Sequence, residues 1–105
     1  MALLSRLASQ GFPGSAALLD QIRGLWVRSI DDDGSLSLST SIPAIADVRY
    51  RVPVEGIYLD KDNVRVHLLL HVVDGYLDEL EVLREDSGVV VNSPFEEVSI
   101  EFQTL

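Results

Sequence analysis

The chain has 105 residues, of which 47% are hydrophobic and 24% charged, and this is enough apolar surface to offset the entropy lost in ordering a folded core. Seventeen acidic against eight basic residues give a net charge of −9, which argues against a nucleic-acid partner because a phosphate backbone requires a basic face. The absence of cysteine excludes disulfides, thiolate catalysis and iron–sulfur clusters.

The N-terminal segment 1–8 has no basic region ahead of its apolar residues and is interrupted by Arg6, so we expect no secretory signal. Apolar runs such as Leu68–Leu70 are far shorter than the roughly 20 residues of a membrane-spanning helix. These features favour a cytoplasmic protein that does not contact a membrane.

Two short helical patterns open the chain. Residues 2–10 carry leucines at helical spacing, and the glycines and proline of residues 11–14 then break the pattern. Ser15 is a suitable N-cap for a second helix over residues 15–23, which ends at Gly24. We expect these two helices to form a helical hairpin.

From residue 25 onward the hydrophobic period changes to two, which is typical of half-buried strands. Asp31–Gly34 is predicted to be a turn, since it lacks the spaced oxygens and the distal glutamate of a calcium loop. Pro53 favours an edge position or a bulge in its strand. The predicted strands cover residues 25–30, 35–39, 47–59, 64–73, 76–85 and 97–103.

This order of elements predicts an α+β fold. We expect an N-terminal helical hairpin packed on an antiparallel five- to six-stranded meander sheet. Helices on one side of the sheet would explain why each predicted strand has one apolar row. The length predicts that residues 1–105 form a single domain.

The turn at Asp74–Gly75 admits two registers for the central hairpin. A two-residue loop would pair Val73 with Tyr76 and turn the glutamates of the second strand towards the apolar face. Burying unpaired carboxylates there costs several kcal/mol. We therefore predict a three-residue loop that pairs Val72 with Tyr76 instead, since a slip of one residue moves every side chain to the other face.

The chosen register collects polar side chains on the sheet face away from the helices, with His67 directly opposite Glu81. Leucines stand among the charges on this face, as is typical of a protein-docking site. The alternatives are a solvent-facing sheet with weak ion pairs, or a face covered by the helices or by a second copy of the chain. The candidate binding residues are Arg49, Arg51, Arg65, His67, Leu69, His71, Leu77, Glu79, Glu81 and Leu83.

The His67–Glu81 pair also supports a catalytic alternative, a small hydrolase or isomerase in which the carboxylate orients a general base beside Arg49 or Arg51. No nucleophile motif and no phosphate-binding glycine loop accompany the pair, so we predict no catalytic residue and no cofactor. His67 and His71 are four residues apart, about 13 Å along a regular strand, which is too far to share one ion. We therefore predict no metal site.

Charge is unevenly distributed along the chain. Residues 1–52 hold five acidic and five basic residues, whereas residues 53–105 hold twelve acidic and three basic residues. An acidic half of this kind steers a protein towards basic partners, and it also keeps a protein soluble.

Three segments resemble a family of short bacterial proteins, namely Ala17–Leu19, Val27–Leu36 and, above all, His71–Asp86. The last segment is similar to an H-V-x-D-G-x-L-x-E-L-E-x-x-R-x-D hairpin of a domain of unknown function. The resemblance covers residues 12–86 and implies an antiparallel α+β domain with a loose link to immunity-like or accessory proteins. It implies no activity and assigns no role to any residue.

These features together predict a small acidic interaction protein of the bacterial cytoplasm that is not an enzyme. Its partner is expected to be a basic protein that binds the acidic sheet face. A homodimer formed through that face, or through the edge near Pro53, is the other arrangement that the sequence leaves open.

Overall fold

The computed structural model describes residues 2–96 and 98–105. The α+β class and the two N-terminal helices are confirmed, and every pair of neighbouring strands is antiparallel. The elements are α1 (Ala2–Ala8), α2 (Ser15–Ile22), β1 (Leu25–Ser29), β2 (Leu36–Thr40), β3 (Val54–Leu59), β4 (Arg65–Val73), β5 (Tyr76–Arg84) and β6 (Glu101–Thr104).

Both helices lie against one face of the sheet. The leucines of α1 recur at helical spacing, so Leu3, Leu4 and Leu7 are all buried on one side of the helix. The helix α2 follows Gly14, whose φ of 90° lies in the left-handed region that favours glycine. Leu18 of α2 then joins the leucines of α1 in the core.

The strand order is β1-β2-β5-β4-β3-β6, so the predicted meander is wrong. The strand β2 pairs with β5, because the irregular segment 41–53 carries the chain to the far side of β4 before the next strand begins. Pro43 and Pro53 lack the N–H group that a strand ladder would need in this segment. As a result β3 begins at Val54 rather than at residue 47, and it lies inside the sheet between β4 and β6.

The last strand is shorter than the predicted 97–103. Only Glu101–Thr104 pair with β3, opposite its residues 54–57. Residue 97 of the predicted strand lies outside the described residues. Phe102 faces the core side of the sheet, where Arg6 of α1 lies over its ring at 5.1 Å from the ring centroid.

Burial alternates along the central strands, as their period-two pattern predicts. In β4, Val66, Leu68 and Leu70 are fully buried beneath the helices, whereas the residues between them are half-buried or exposed. The strands β3, β4 and β5 turn one side away from the helices, and we call this side the open face. The open face consists of Glu55, Ile57, Leu59, Arg65, His67, Leu69, His71, Glu79, Glu81 and Leu83.

The β4–β5 turn differs from the predicted three-residue loop. Asp74 and Gly75 have φ values of 53° and 85°, as in a two-residue turn of type I′, and Val73 pairs with Tyr76. A Cβ atom on Gly75 would also collide with the side chain of Ile45. Both the positive φ and this close contact therefore require glycine at the position.

A β-bulge then restores the faces that the two-residue turn would otherwise exchange. Val72 pairs with Leu77, but the next residue of β4, His71, pairs with Glu79, so Asp78 is the extra residue. Beyond Asp78 the glutamates of β5 return to the open face. The prediction that they stay out of the core therefore holds, although by a bulge and not by the loop. Leu77 lies between turn and bulge and is buried in the core, contrary to its predicted place on the open face.

A buried glutamine attaches this turn to the helices. The side-chain amide of Gln21 donates hydrogen bonds to the carbonyl oxygens of Ala44 and Gly75, at 2.6 and 2.8 Å. Its oxygen accepts the N–H of Leu77 at 2.9 Å. Since a buried amide is costly unless its groups are paired, these contacts stabilise the position of the turn and, with it, the register of the bulge.

Candidate functional site

The centre of the open face is a chain of hydrogen bonds through His71. The Nε of Arg51 donates to Nδ1 of His71 at 3.0 Å, and Nε2 of His71 lies 2.8 Å from Oε1 of Glu81. Because a guanidinium can only donate, Nδ1 accepts and the ring proton lies on Nε2, where it faces Glu81. The guanidinium of Arg51 also lies 3.8 Å from the bulge residue Asp78.

The second histidine lies between two other carboxylates. Nδ1 of His67 contacts Glu55 of the neighbouring strand β3, and its Nε2 lies 3.5 Å from Glu85, which follows β5. Across the strands His67 pairs with Leu83. The predicted pairing of His67 with Glu81 is therefore wrong, because the turn and the bulge together move β5 by two residues relative to the predicted register.

The acid–base pair of His67 and Glu81 named in the hydrolase or isomerase alternative is therefore not formed. Glu81 belongs to His71, and both imidazoles lie on a sheet face with carboxylates as neighbours. Among the described residues, the hydrogen-bond partners of the two imidazoles are Arg51, Glu55 and Glu81.

The three groups His71, Glu79 and Glu81 are also the part of the described chain with the spacing of metal ligands. One potential ligand atom from each lies within 4.8 Å of the other two. The lone pair that a cation would need on Nε2 is replaced by a proton shared with Glu81, and Arg51 brings a positive charge to the other ring nitrogen. His71 thus serves as a hydrogen-bonded link between Arg51 of the segment 41–53 and Glu81 of β5.

The remaining candidate binding residues are distributed unevenly. Arg65, Leu69 and Leu83 lie on the open face, where Leu83 is exposed and Leu69 half-buried. Arg49 lies off the sheet in segment 41–53, where it lines a cleft of about 690 Å³ together with Arg51 and the β4–β5 turn. Sequence reasoning missed Glu55, although its position in the alternating pattern next to β4 places it on the polar row.

A separate polar cluster, which we call the Arg84 cluster, lies at the end of β5 and consists of Arg84, Asp60, Asp62 and Asp86. The guanidinium of Arg84 donates to all three carboxylates and to the carbonyl oxygen of Val89. Sequence reasoning did not find this cluster, although Arg84 and Asp86 are the final R-x-D of the hairpin motif.

Asp60 is the centre of the Arg84 cluster and its side chain is completely buried. Burial alone would raise the pKa of this carboxyl, but hydrogen bonds from the backbone N–H groups of Val91, Asn92 and Lys61 and from Arg84 outweigh it and hold the pKa at about 2. The pKa of Asp86 is also held at about 2, by Arg84 and by the N–H of Gly88.

The Arg84 cluster therefore has a structural role. It ties the β3–β4 turn, the end of β5 and residues 86–92 to one another. Within the described residues, no buried side-chain nitrogen or oxygen lacks a hydrogen-bond partner, so the buried groups Asp60 and Arg84 are fully engaged by the protein itself.

Fold and site together define an acidic α+β domain with a polar sheet face on the side away from the two helices. A family model described as a domain of unknown function (DUF6984) matches residues 1–94, and the chain belongs to this family. The match includes both helices, the first five strands and the Arg84 cluster, and it ends before β6. No curated protein and no solved structure matches the chain. Neither helix of the described residues is long and apolar enough to cross a membrane.

Proposed function

We propose that this protein is a non-catalytic binding protein whose open face docks a basic surface of a protein partner. The observation that carries the proposal is the composition of that face. Leu69 and Leu83 stand between the carboxylates of Glu55, Glu79 and Glu81 on the side of the sheet that the helices leave uncovered. Apolar residues that lie beside several carboxylates fit a partner that combines arginine or lysine with an apolar contact.

The distribution of charge along the chain also favours a basic partner. All of the chain's excess negative charge belongs to residues 53–105, which include the three central strands. Such a field accelerates association with a basic partner and weakens as salt screens it. An accessory or immunity-like role in the bacterial cytoplasm, as the family resemblance implies, is part of this proposal.

The catalytic alternative has no comparable support. A catalytic site needs a concave pocket in which a base meets a nucleophile or a bound group. The histidine–glutamate contacts of the open face instead involve three strands and form two separate sets, centred on His67 and His71.

The first experiment maps the binding of a hexa-arginine peptide by amide chemical shifts at low and at high salt. We expect the largest shifts on the open face at low salt, and their loss at high salt. The double variant Glu79→Gln/Glu81→Gln should weaken binding roughly three- to tenfold, because two charges with favourable interactions are removed while the side-chain shapes are kept.

The matched control is Asp20→Asn/Asp32→Asn, which removes the same charge from exposed positions on α2 and in the β1–β2 turn. Equal weakening by both double variants would show that net charge alone binds the peptide and would contradict the proposal. In a capture experiment from the source cells, a protein counts as a partner only if the open-face variant loses it and the control variant retains it.

A further inference from the structure

The strand β1 forms one edge of the sheet and is unusually apolar for an exposed edge. Trp26 and Val27 are 72% and 47% exposed, and Ile30, directly after the strand, is 48% exposed. Edge strands normally carry lysine, proline or a bulge that prevents pairing with another chain. β1 has none of these, and it pairs with β2 in one uninterrupted register. Among the described residues, no other strand pairs with it.

The hydrogen bonds at the two ends of β1 show which of its backbone groups are free. Ser41 N–H donates to the carbonyl oxygen of Gly24 at 3.0 Å, and Ile30 N–H donates to that of Ser35 at 3.1 Å. In an antiparallel pair the hydrogen-bonding groups alternate along the strand. The even-numbered residues of β1 therefore bond to β2, and the N–H and C=O groups of Leu25, Val27 and Ser29 point away from the sheet.

We propose that two copies of the chain pair through β1, antiparallel to each other around a two-fold axis at Val27, so that two six-stranded sheets become one of twelve strands. In this register Val27 pairs with its own copy, and Leu25 pairs with Ser29 of the partner. The free N–H and C=O groups of all three residues in each strand then have partners in the other copy. Each of the three residue pairs exchanges two hydrogen bonds, which makes six in total.

The side chains favour this register over its neighbours. Trp26 stands opposite Arg28 of the second copy, in the closer type of antiparallel pair, and the symmetry repeats the contact. An arginine over an indole ring is a favourable cation–π arrangement. An axis at Arg28 would set the two Arg28 side chains against each other, and an axis at Trp26 would use only Leu25 and Val27 of each edge.

Charge distribution favours a second copy at this edge. β1 belongs to residues 1–52, whose acidic and basic residues balance, and the only charged side chain in β1 is that of Arg28. The other edge strand, β6, carries Glu101 and belongs to the acidic half, so two copies would repel each other there. Pairing through β1 keeps the two acidic halves apart and leaves the open face of β3–β5 uncovered, so this inference does not depend on the proposed function.

The test begins with sedimentation velocity of the whole chain from about 10 μM to about 1 mM, with amide exchange measured at both limits. We expect a dimer that forms with concentration, and slower exchange in the dimer for the amides of Leu25, Val27 and Ser29. The amides of Trp26 and Arg28 are already bonded to β2 and should not change. Trp26 is the only tryptophan, so its fluorescence should follow the same transition.

Two variants test the register. Trp26→Lys places lysine opposite Arg28 of the copy and should weaken the dimer at least about tenfold. Adding Arg28→Glu to that variant restores opposite charges across the pair and should recover the dimer. Val89→Lys makes the same charge change at another exposed apolar residue and should leave the dimer intact.

A chain that stays monomeric at the highest concentration would overturn the inference. So would a dimer in which the Leu25, Val27 and Ser29 amides exchange as fast as in the monomer. Failure of the double variant to recover the dimer would exclude the register at Val27. Because Trp26 is exposed, its replacement leaves the core unchanged, and thermal unfolding of each variant verifies this.

Discussion

The Arg84 cluster and the histidines of the open face are both built from cations and carboxylates on neighbouring strands, but they differ in burial. Asp60 has no exposed side-chain surface and accepts hydrogen bonds from three backbone N–H groups as well as from Arg84. Glu81 on the open face is 35% exposed and contacts one histidine. The same residue types thus hold a loop in place where they are enclosed, and are available to a partner where they are not.

The role of a charge pair depends on how many hydrogen bonds its groups can still make with water or a ligand. A buried carboxylate with every lone pair engaged is costly to disturb, and it offers nothing to a ligand. A half-exposed carboxylate contributes little to stability because water replaces its partner readily. Three predictions test whether the two regions differ in this way.

The largest effect is expected from Asp60→Ala. The change leaves Arg84 without its buried partner and removes the acceptor for the N–H groups of Val91 and Asn92, so the free energy of unfolding should fall by about 3 kcal/mol. Urea denaturation measures it. The matched control is Asp62→Ala, whose carboxylate also contacts Arg84 but is 53% exposed, and its loss should be much smaller. Equal losses would show that burial does not distinguish the two aspartates.

We expect low pH to weaken the Arg84 cluster and thereby to lower the free energy of unfolding. An aspartate in an unfolded chain has a pKa of about 3.9, and the pKa of Asp60 in the folded protein is about 2. A depressed pKa stabilises the fold fully above the unfolded value, so this contribution is present above about pH 4 and is lost as the pH falls towards 2.

Thermal unfolding measured between pH 5 and pH 2 tests this expectation. The variant Asp60→Asn should lower stability at neutral pH and flatten the decline below about pH 4. An unchanged slope in this variant would assign the acid sensitivity to other carboxylates, of which Asp86 is the first to examine because its pKa is also about 2.

The smallest effect on stability is expected on the open face. The variant Glu79→Gln/Glu81→Gln should change the free energy of unfolding by less than about 1 kcal/mol, since both carboxylates are partly exposed and the amide of residue 81 still accepts the proton of His71. Its effect on hexa-arginine binding should be the larger one. A loss of stability as great as that of Asp60→Ala would make the open face a structural network like the Arg84 cluster.

Much of the local structure followed from the chain itself. The spacing of Leu3, Leu4 and Leu7 predicted a helix with one buried side, and the alternation along residues 64–73 predicted which side chains of β4 are buried. Glu79 and Glu81 also stay out of the core as predicted, because the cost of burying carboxylates does not depend on how the turn is made.

The cross-strand partners of individual residues could not be predicted from the sequence. Sequence reasoning did not predict the bulge at Asp78, so it chose a three-residue loop to keep the glutamates out of the core and paired His67 with Glu81 instead of Leu83. The turn is instead decided by contacts distant in sequence: Gln21 from α2 bonds to Gly75 and Leu77, and Ile45 crowds Gly75.

The order of amino acids by itself determined the fold class, the two helices, the apolar and polar rows of the central strands and the acidic second half, because each depends on periodicity or composition within one segment. The folded structure, and not the sequence pattern, pairs β2 with β5 and joins Asp60 to Arg84. It also leaves β1 paired on one side only among the described residues. These outcomes depend on which distant segments compete for the same strand edge, and only packing of the whole chain resolves that competition.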